Sequence, residues 1–302
     1  MARGQAWVLA RLRGLGRAVR SPRPYLERVR RTRWQVELLD VPEPGEARLT
    51  VIIASTPRSG SNLLLSGLRS SERCGVPDEY LNASRISAAA VYDGVPVVTM
   101  RGRLRMWSRR LTLRRGWDFT TDVEPASLHR YLDSVIERRT TPNGTFSLKI
   151  HWADFELMER RFGLDETWFP QPIRWVYIRR VDTVAQAVSY GRAEQTRQWV
   201  SLASEVDRPE TAVYSREILL DAYGRVRRGD ECWKTYFTRH RIDPIEVVYE
   251  ELAANFEGTV RRVLSELGES VDSIGPPLLE RQADELNIEW ARRFREDVPD
   301  LA

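Results

Sequence analysis

The stretch Thr56-Pro57-Arg58-Ser59-Gly60-Ser61-Asn62 gathers residue types that bind anions. Gly60 lets the backbone turn tightly and lie close to a ligand. If a helix opens at Ser61, its first N–H groups have no internal partner and point outward. Arg58 adds a cation, and Ser59, Ser61 and Asn62 add side-chain donors, completing a nest for a phosphate-like group. The same residues also suit a plain strand–turn–helix corner capped by serine. A nucleoside triphosphate loop would read Gly-x-x-x-x-Gly-Lys-Ser/Thr, and here one glycine stands without the lysine. A P-loop kinase is therefore the weaker reading, and no metal site is expected.

Elements to hold this turn are legible on either side of it. Residues 48–56 (RLTVIIAST) are short, β-branched and apolar, which predicts a buried strand, and Ser61–Ser71 predicts a helix. Residues 145–152 (TFSLKIHW), 173–180 (IRWVYIRR) and 244–252 (PIEVVYEEL) read as further strands. Helices are expected over 181–200, over 210–240, and from Phe256 to a stop at Gly268. Strands separated by helices argue for an α/β fold, a P-loop-like parallel sheet flanked by helices. Ligands in such folds bind beyond the carboxyl ends of the strands, which directs attention to the residues that follow each one.

Composition narrows the class. At 302 residues, with 42% hydrophobic and 30% charged residues, the chain has the make-up of a globular enzyme. No apolar run approaches the roughly 20 residues of a membrane span, and no secretory leader is visible. Cys74 and Cys232 make neither a metal pattern nor a disulfide framework, so a reduced, cytoplasmic setting is expected. The net charge of +4 is carried almost wholly by arginine, and the two lysines are Lys149 and Lys234. Ten arginines fall within residues 1–34 against Glu27, interleaved with Trp7, Leu12, Leu15 and Val19 near helical spacing. We read residues 1–47 as a basic leader and 48–302 as one domain. Such a leader is either a solvated tail or a surface for anionic membrane or nucleic acid. A nucleic-acid or membrane-surface binding protein is thus an alternative function, with salt-sensitive binding that disappears with the leader. Outside residues 1–34 acidic residues outnumber basic ones, which argues against it, and no specific nucleic acid is expected.

Five segments together carry a resemblance: TPRSGSNLL, CGVPDEYLN, LKIHW, RRVDTVAQAVSYGRAEQTRQW and ERQADELNIEW. In this order they resemble stretches of the bacterial trehalose 2-sulfotransferase-like family of PAPS-dependent sulfotransferases, across roughly residues 50–296. The resemblance implies the sulfotransferase fold, with PAPS (3′-phosphoadenosine 5′-phosphosulfate) as cofactor and PAP as product. It implies that Arg58, Ser59, Gly60, Ser61 and Asn62 hold the 5′-phosphosulfate and that Arg180 and Ser189 hold the 3′-phosphate. Two residues compete as general base: Glu79, matching the base of the trehalose-sulfating branch, and His151, whose Lys149-Ile150-His151 setting is similar to the Lys-x-His motif of animal cytosolic sulfotransferases. Lys149 would stabilise charge on the bridging oxygen. Trp152, Arg192, Gln195 and Trp199 are expected at the acceptor, a carbohydrate or glycosylated small molecule, with Arg281 and Gln282 reaching cofactor or acceptor. Asp78 is expected to be solvated or capping, Asp182 to cap a helix, and Tyr249-Glu250 to be structural. A homodimer would be in keeping with the family. The stretch 83–120, with Trp107 and Trp117, falls outside the resemblance and is where acceptor choice would differ.

Overall fold

The structure, a computed structural model, describes residues 40–82, 86, 123–196, 212–276 and 285–301. The leader up to residue 39, Trp107, Trp117, Trp199, Arg281 and Gln282 lie outside the described residues.

Contacts divide the chain into two compact units, residues 1–40 with 82–138, and residues 41–81 with 139–302. In the first, helix α2 (Pro125–Arg139) follows helix α1 of the second unit (Ser61–Ser70) in chain order. Leu128, Tyr131, Leu132 and Val135 of α2 are buried at steps of three and four, and Arg138 pairs with Asp40 at 3.3 Å.

Among the described residues the second unit is built on four parallel strands: β1 (Leu49–Ser55), β2 (Thr145–His151), β3 (Ile173–Arg179) and β4 (Ile245–Val248). Their order is β2-β1-β3-β4, so β1 is central and the chain leaves it in opposite directions along the sheet. That reversal opens a crevice at the carboxyl end of β1, where the Arg58 turn sits. Helices α3 (Trp152–Phe162), α4 (Thr183–Thr196), α5 (Arg216–His240), α6 (Tyr249–Ala254), α7 (Phe256–Glu266) and α8 (Glu285–Asp297) also belong to this unit.

The pleat gives the sheet two unlike faces. Val51 and Ile53 of β1 join Val176 and Ile178 of β3 and Leu64, Leu68, Val260, Val263 and Leu264 of α1 and α7 in an aliphatic core. Trp175 and Tyr177, the alternate residues of β3, face an aromatic cluster instead. Trp233 of α5 lies 5.0 Å from both Trp152 and Phe155 and 5.9 Å from Trp175, centroid to centroid. The Trp233 indole N–H donates to the Ser55 carbonyl at 3.0 Å, tying this cluster to the end of β1.

Two expectations need correction. The strand predicted to run through Leu252 stops at Val248, and Tyr249 opens α6. Glu250 and Glu251 in the first turn favour a helix start, because negative side chains suit the positive end of a helix. Likewise Trp152 opens α3 rather than closing β2. Helices α2, α3 and α8 lay outside the predicted elements. Among the described residues no helix is long and apolar enough to cross a membrane.

Candidate active site

The turn after β1 is held from behind by a buried polar network. The Gln186 amide of α4 donates to Thr56 Oγ1 at 2.9 Å and to the Pro57 carbonyl at 2.7 Å. Asp230 of α5 accepts from Thr56 Oγ1 at 3.3 Å and from the Tyr177 hydroxyl at 3.1 Å. Burial pushes the Asp230 carboxyl above its ordinary pKa, while these two hydrogen bonds pull it back. Gly229 admits the approach: a Cβ there would lie 2.7 Å from Thr56 Cγ2.

From this anchor the backbone passes through two left-handed residues, Arg58 (φ 62°) and Gly60 (φ 85°). For a residue with a Cβ such as Arg58 this conformation costs about 1–2 kcal/mol. Gly60 has a second reason to lack a Cβ, which would meet the Tyr249 ring at 2.2 Å. Helix α1 starts at the next residue, and no side chain caps it. Ser59 is fully buried, yet its Oγ has no hydrogen-bond partner among the described residues. An unpaired buried hydroxyl is costly unless a ligand meets it.

Cations surround this turn. Arg58 Nε donates to Ser189 Oγ at 2.8 Å, joining two residues expected at different phosphates of one ligand. Burial, then the charge of Arg180, lowers the Arg58 guanidinium to a pKa of about 10; Tyr249 opposes this and Arg192 adds to it. Like charges are thus gathered at one place, an arrangement that an anion would relieve. Arg180 follows β3, its guanidinium 4.6 Å from the Tyr249 ring centroid. Its Nε is buried without a hydrogen bond among the described residues.

Glu79, Lys149 and His151 form the second half of the site. Lys149 is 2% exposed, and its ammonium meets Glu79 Oε1 at 2.5 Å, Asn62 Oδ1 at 2.7 Å and Ser61 Oγ at 3.3 Å. His151 Nε2 lies 3.5 Å from the same Glu79 oxygen, and its Nδ1 lies 2.9 Å from Ser55 Oγ. Burial alone would raise the Glu79 pKa. The Lys149 charge and the hydrogen bonds from His151 and Lys149 outweigh it and hold the carboxyl well below the usual range. Both proposed bases therefore share one corner, and Lys149 bridges it to the turn. Accepting from Lys149 leaves the Ser61 hydroxyl proton and the Asn62 amide hydrogens available to a ligand.

The segment bearing Glu79 lies beside β2. Lys149 N–H donates to the Asp78 carbonyl at 3.0 Å, and Arg69 Nε donates to the Pro77 carbonyl at 2.8 Å. Asp78 is neither solvated nor a helix cap. It is 7% exposed, accepts from the Glu79 N–H at 2.9 Å and meets Arg69 at 3.5 Å. A buried carboxylate so placed fixes the backbone on which Glu79 stands.

The residues expected at the acceptor fall in different settings. Trp152 adjoins His151, and its indole N–H is buried without a partner among the described residues. Gln195 Oε1 accepts from the Val213 N–H at 2.9 Å, while its Nε2 is buried and unpartnered. Arg192 is 7% exposed on α4, its guanidinium 5.8 Å from the Trp290 centroid of α8. It lies three residues from Ser189 on the same helix, and its charge adds to those acting on Arg58. Asp182 caps α4 by accepting from the Ala185 N–H at 2.9 Å, as expected, and also holds Arg295 of α8 at 2.7 and 2.8 Å.

Sequence reasoning missed Gln186 and Asp230. Gln186 lies inside the AQAVS block that carried part of the resemblance, which is a usable signal; Asp230 has none, since its partners lie far away in the chain.

Comparison with known proteins places these residues in context. Residues 50–297 match the family described as Stf0 sulphotransferase. The trehalose 2-sulfotransferase of Mycolicibacterium smegmatis is 29% identical over 82% of this chain and 94% of its own length. That of Mycobacterium tuberculosis is 26% identical over 83% and 96%. Among solved structures, the sulfotransferase domain from the curacin biosynthetic pathway aligns with a TM-score of 0.42 and 14% identity, covering 80% of this chain and 79% of that one. The sulfotransferase domain of the Synechococcus olefin synthase gives 0.42 and 15%, over 85% and 98%.

Proposed function

The chain belongs to the Stf0 sulfotransferase family, and we propose that it moves a sulfuryl group from PAPS to a hydroxyl of a carbohydrate or glycosylated small molecule. The observation that carries the donor is the gathering of Arg58, Arg180 and Arg192 around an uncapped helix start, with Ser59 Oγ and Arg180 Nε left without hydrogen-bond partners among the described residues. These groups fit a ligand with two separate phosphates. The turn residues and the first N–H groups of α1 take the 5′ end; Arg180 and Ser189 take the 3′-phosphate. PAPS supplies the sulfuryl group and leaves as PAP.

The protein then has three tasks: to bind the leaving phosphate, to align the acceptor, and to accept its proton. Glu79 takes the proton of the acceptor hydroxyl, and His151, held by Ser55, orients and shares the charge of that carboxylate. While Lys149 rests against it, Glu79 stays ionised but weakly basic. Lys149 also touches Asn62 and Ser61, so negative charge at the turn draws on the same ammonium. Charge that Lys149 turns toward the donor is charge withdrawn from Glu79, which gains basicity where the acceptor proton must go. The Trp152 and Gln195 N–H groups, unpartnered among the described residues, suit acceptor hydroxyls, and the trehalose 2-sulfotransferases among the relatives support a sugar in that position.

The test is calorimetry with PAP in a magnesium-free buffer, followed by incubation with PAPS and candidate sugars under mass spectrometry. Tight PAP binding and a product heavier by one sulfonate are expected. Absence of PAP binding to the parent protein would sink the donor assignment.

A further inference from the structure

Tyr249 and Glu250 touch both halves of the donor site while contributing to neither phosphate contact named above. The Tyr249 ring packs against the Gly60 backbone so closely that no Cβ fits between them, and the Arg180 guanidinium lies over the same ring. Glu250 accepts from the Val181 N–H at 3.1 Å and from the Asp182 N–H at 3.2 Å, one to each carboxylate oxygen. Its Oε1 stands 3.9 Å from Arg180 Nε, close enough for attraction but too far for a hydrogen bond. The turn so held is exposed, with Val181 62% accessible, so little apolar packing fixes it. Two backbone hydrogen bonds to a carboxylate are charge-assisted and directional, and can fix it instead.

We propose that Tyr249-Glu250 is a positioning pair that sets the spacing between the Gly60 turn and Arg180, and through it the preference for a donor bearing a second phosphate. This rests on the PAPS reading above. The physical requirement is plain: a rigid ligand with two phosphates rewards two subsites only when their separation is fixed beforehand. Tyr249 sets one end through Gly60. Glu250 sets the other through the backbone beside Arg180, leaving the Arg180 donors free of a tight ion pair.

The experiment compares PAP with adenosine 5′-monophosphate, which lacks the 3′-phosphate, by calorimetry on the full chain. The parent protein should prefer PAP. Glu250→Ala should lower PAP affinity roughly tenfold and leave adenosine 5′-monophosphate within about twofold, the scale of a charge-assisted contact. Glu250→Gln, which keeps an acceptor oxygen, should recover part of the loss. Adding Glu250→Ala to Arg180→Ala should cost little beyond Arg180→Ala alone, because one acts through the other. Equal loss of both ligands in Glu250→Ala, or additive losses in the double variant, would overturn the proposal and leave Glu250 a merely structural residue. A parent protein that binds both ligands equally would instead remove the donor reading on which it stands.

Discussion

The two halves of the site treat charge in opposite ways. Around the Arg58 turn, guanidiniums crowd one another and a buried hydroxyl goes without a partner among the described residues. In the Glu79 corner, a carboxylate, an ammonium and an imidazole satisfy each other within 2.5–3.5 Å. The first half is unfinished without an anion; the second is neutralised in place. In the proposed function the first region binds charge and leaves its own charge to the ligand. The second, proposed to move a proton, keeps its acceptor paired until the pairing is disturbed. Lys149, a rare lysine in an arginine-rich chain, touches both.

Substitutions should separate the halves. The largest effect is expected from Glu79→Gln, which should lower kcat by about a thousandfold, within the usual range for loss of a general base, with PAP affinity nearly unchanged. A matching drop in PAP affinity in titrations would merge the halves into one. Gly60→Ala meets both a left-handed backbone and the Tyr249 ring, and should cut PAP affinity by roughly a hundredfold and lower Tm by several degrees. Arg58→Ala should weaken PAP by roughly ten- to thirtyfold, the worth of a charged contact, while single-turnover chemistry at saturating donor changes less. Gln186→Ala removes two hydrogen bonds behind the turn and should cost about 1–3 kcal/mol of stability in denaturant melts, with a few-fold loss of PAP affinity. The smallest effect concerns pH. Because the Glu79 pKa is depressed in the folded state, its stabilisation is fully present above the unfolded carboxylate value, about 4.3, and is lost as pH falls through the folded value. The Tm difference between parent and Glu79→Gln should therefore shrink on acidification below about pH 4; a constant difference would show that Glu79 is not held by Lys149.

What could be read in advance followed local rules. β1 and the helix from Ser61 announced themselves by β-branched apolar residues, one glycine and a leucine run, and both lie within a residue of expectation. The Tyr249 boundary did not, since Val247-Val248-Tyr249 is equally apolar to the eye whether the strand continues or a helix begins. The helix wins because only four residues of β4 have β3 to pair with. The resemblance named Glu79, Arg180 and Ser189, but could not say what stood beside them.

By itself, then, the sequence determined the parallel α/β plan, the glycine turn after β1 and the residue types on offer, because patterning and turn chemistry act over a few neighbouring positions. Only the tertiary structure decided that Glu79 and His151 share one corner, that Lys149 links it to Ser61 and Asn62, and that Asp78 is buried. It also decided that Tyr249 packs against Gly60 while Glu250 holds the backbone of Val181 and Asp182. These facts rest on pairs separated by some 70 to 190 residues, brought within bonding distance by strand order β2-β1-β3-β4. No local pattern encodes such distances: parallel pairing and helix packing set them once the whole sheet has formed.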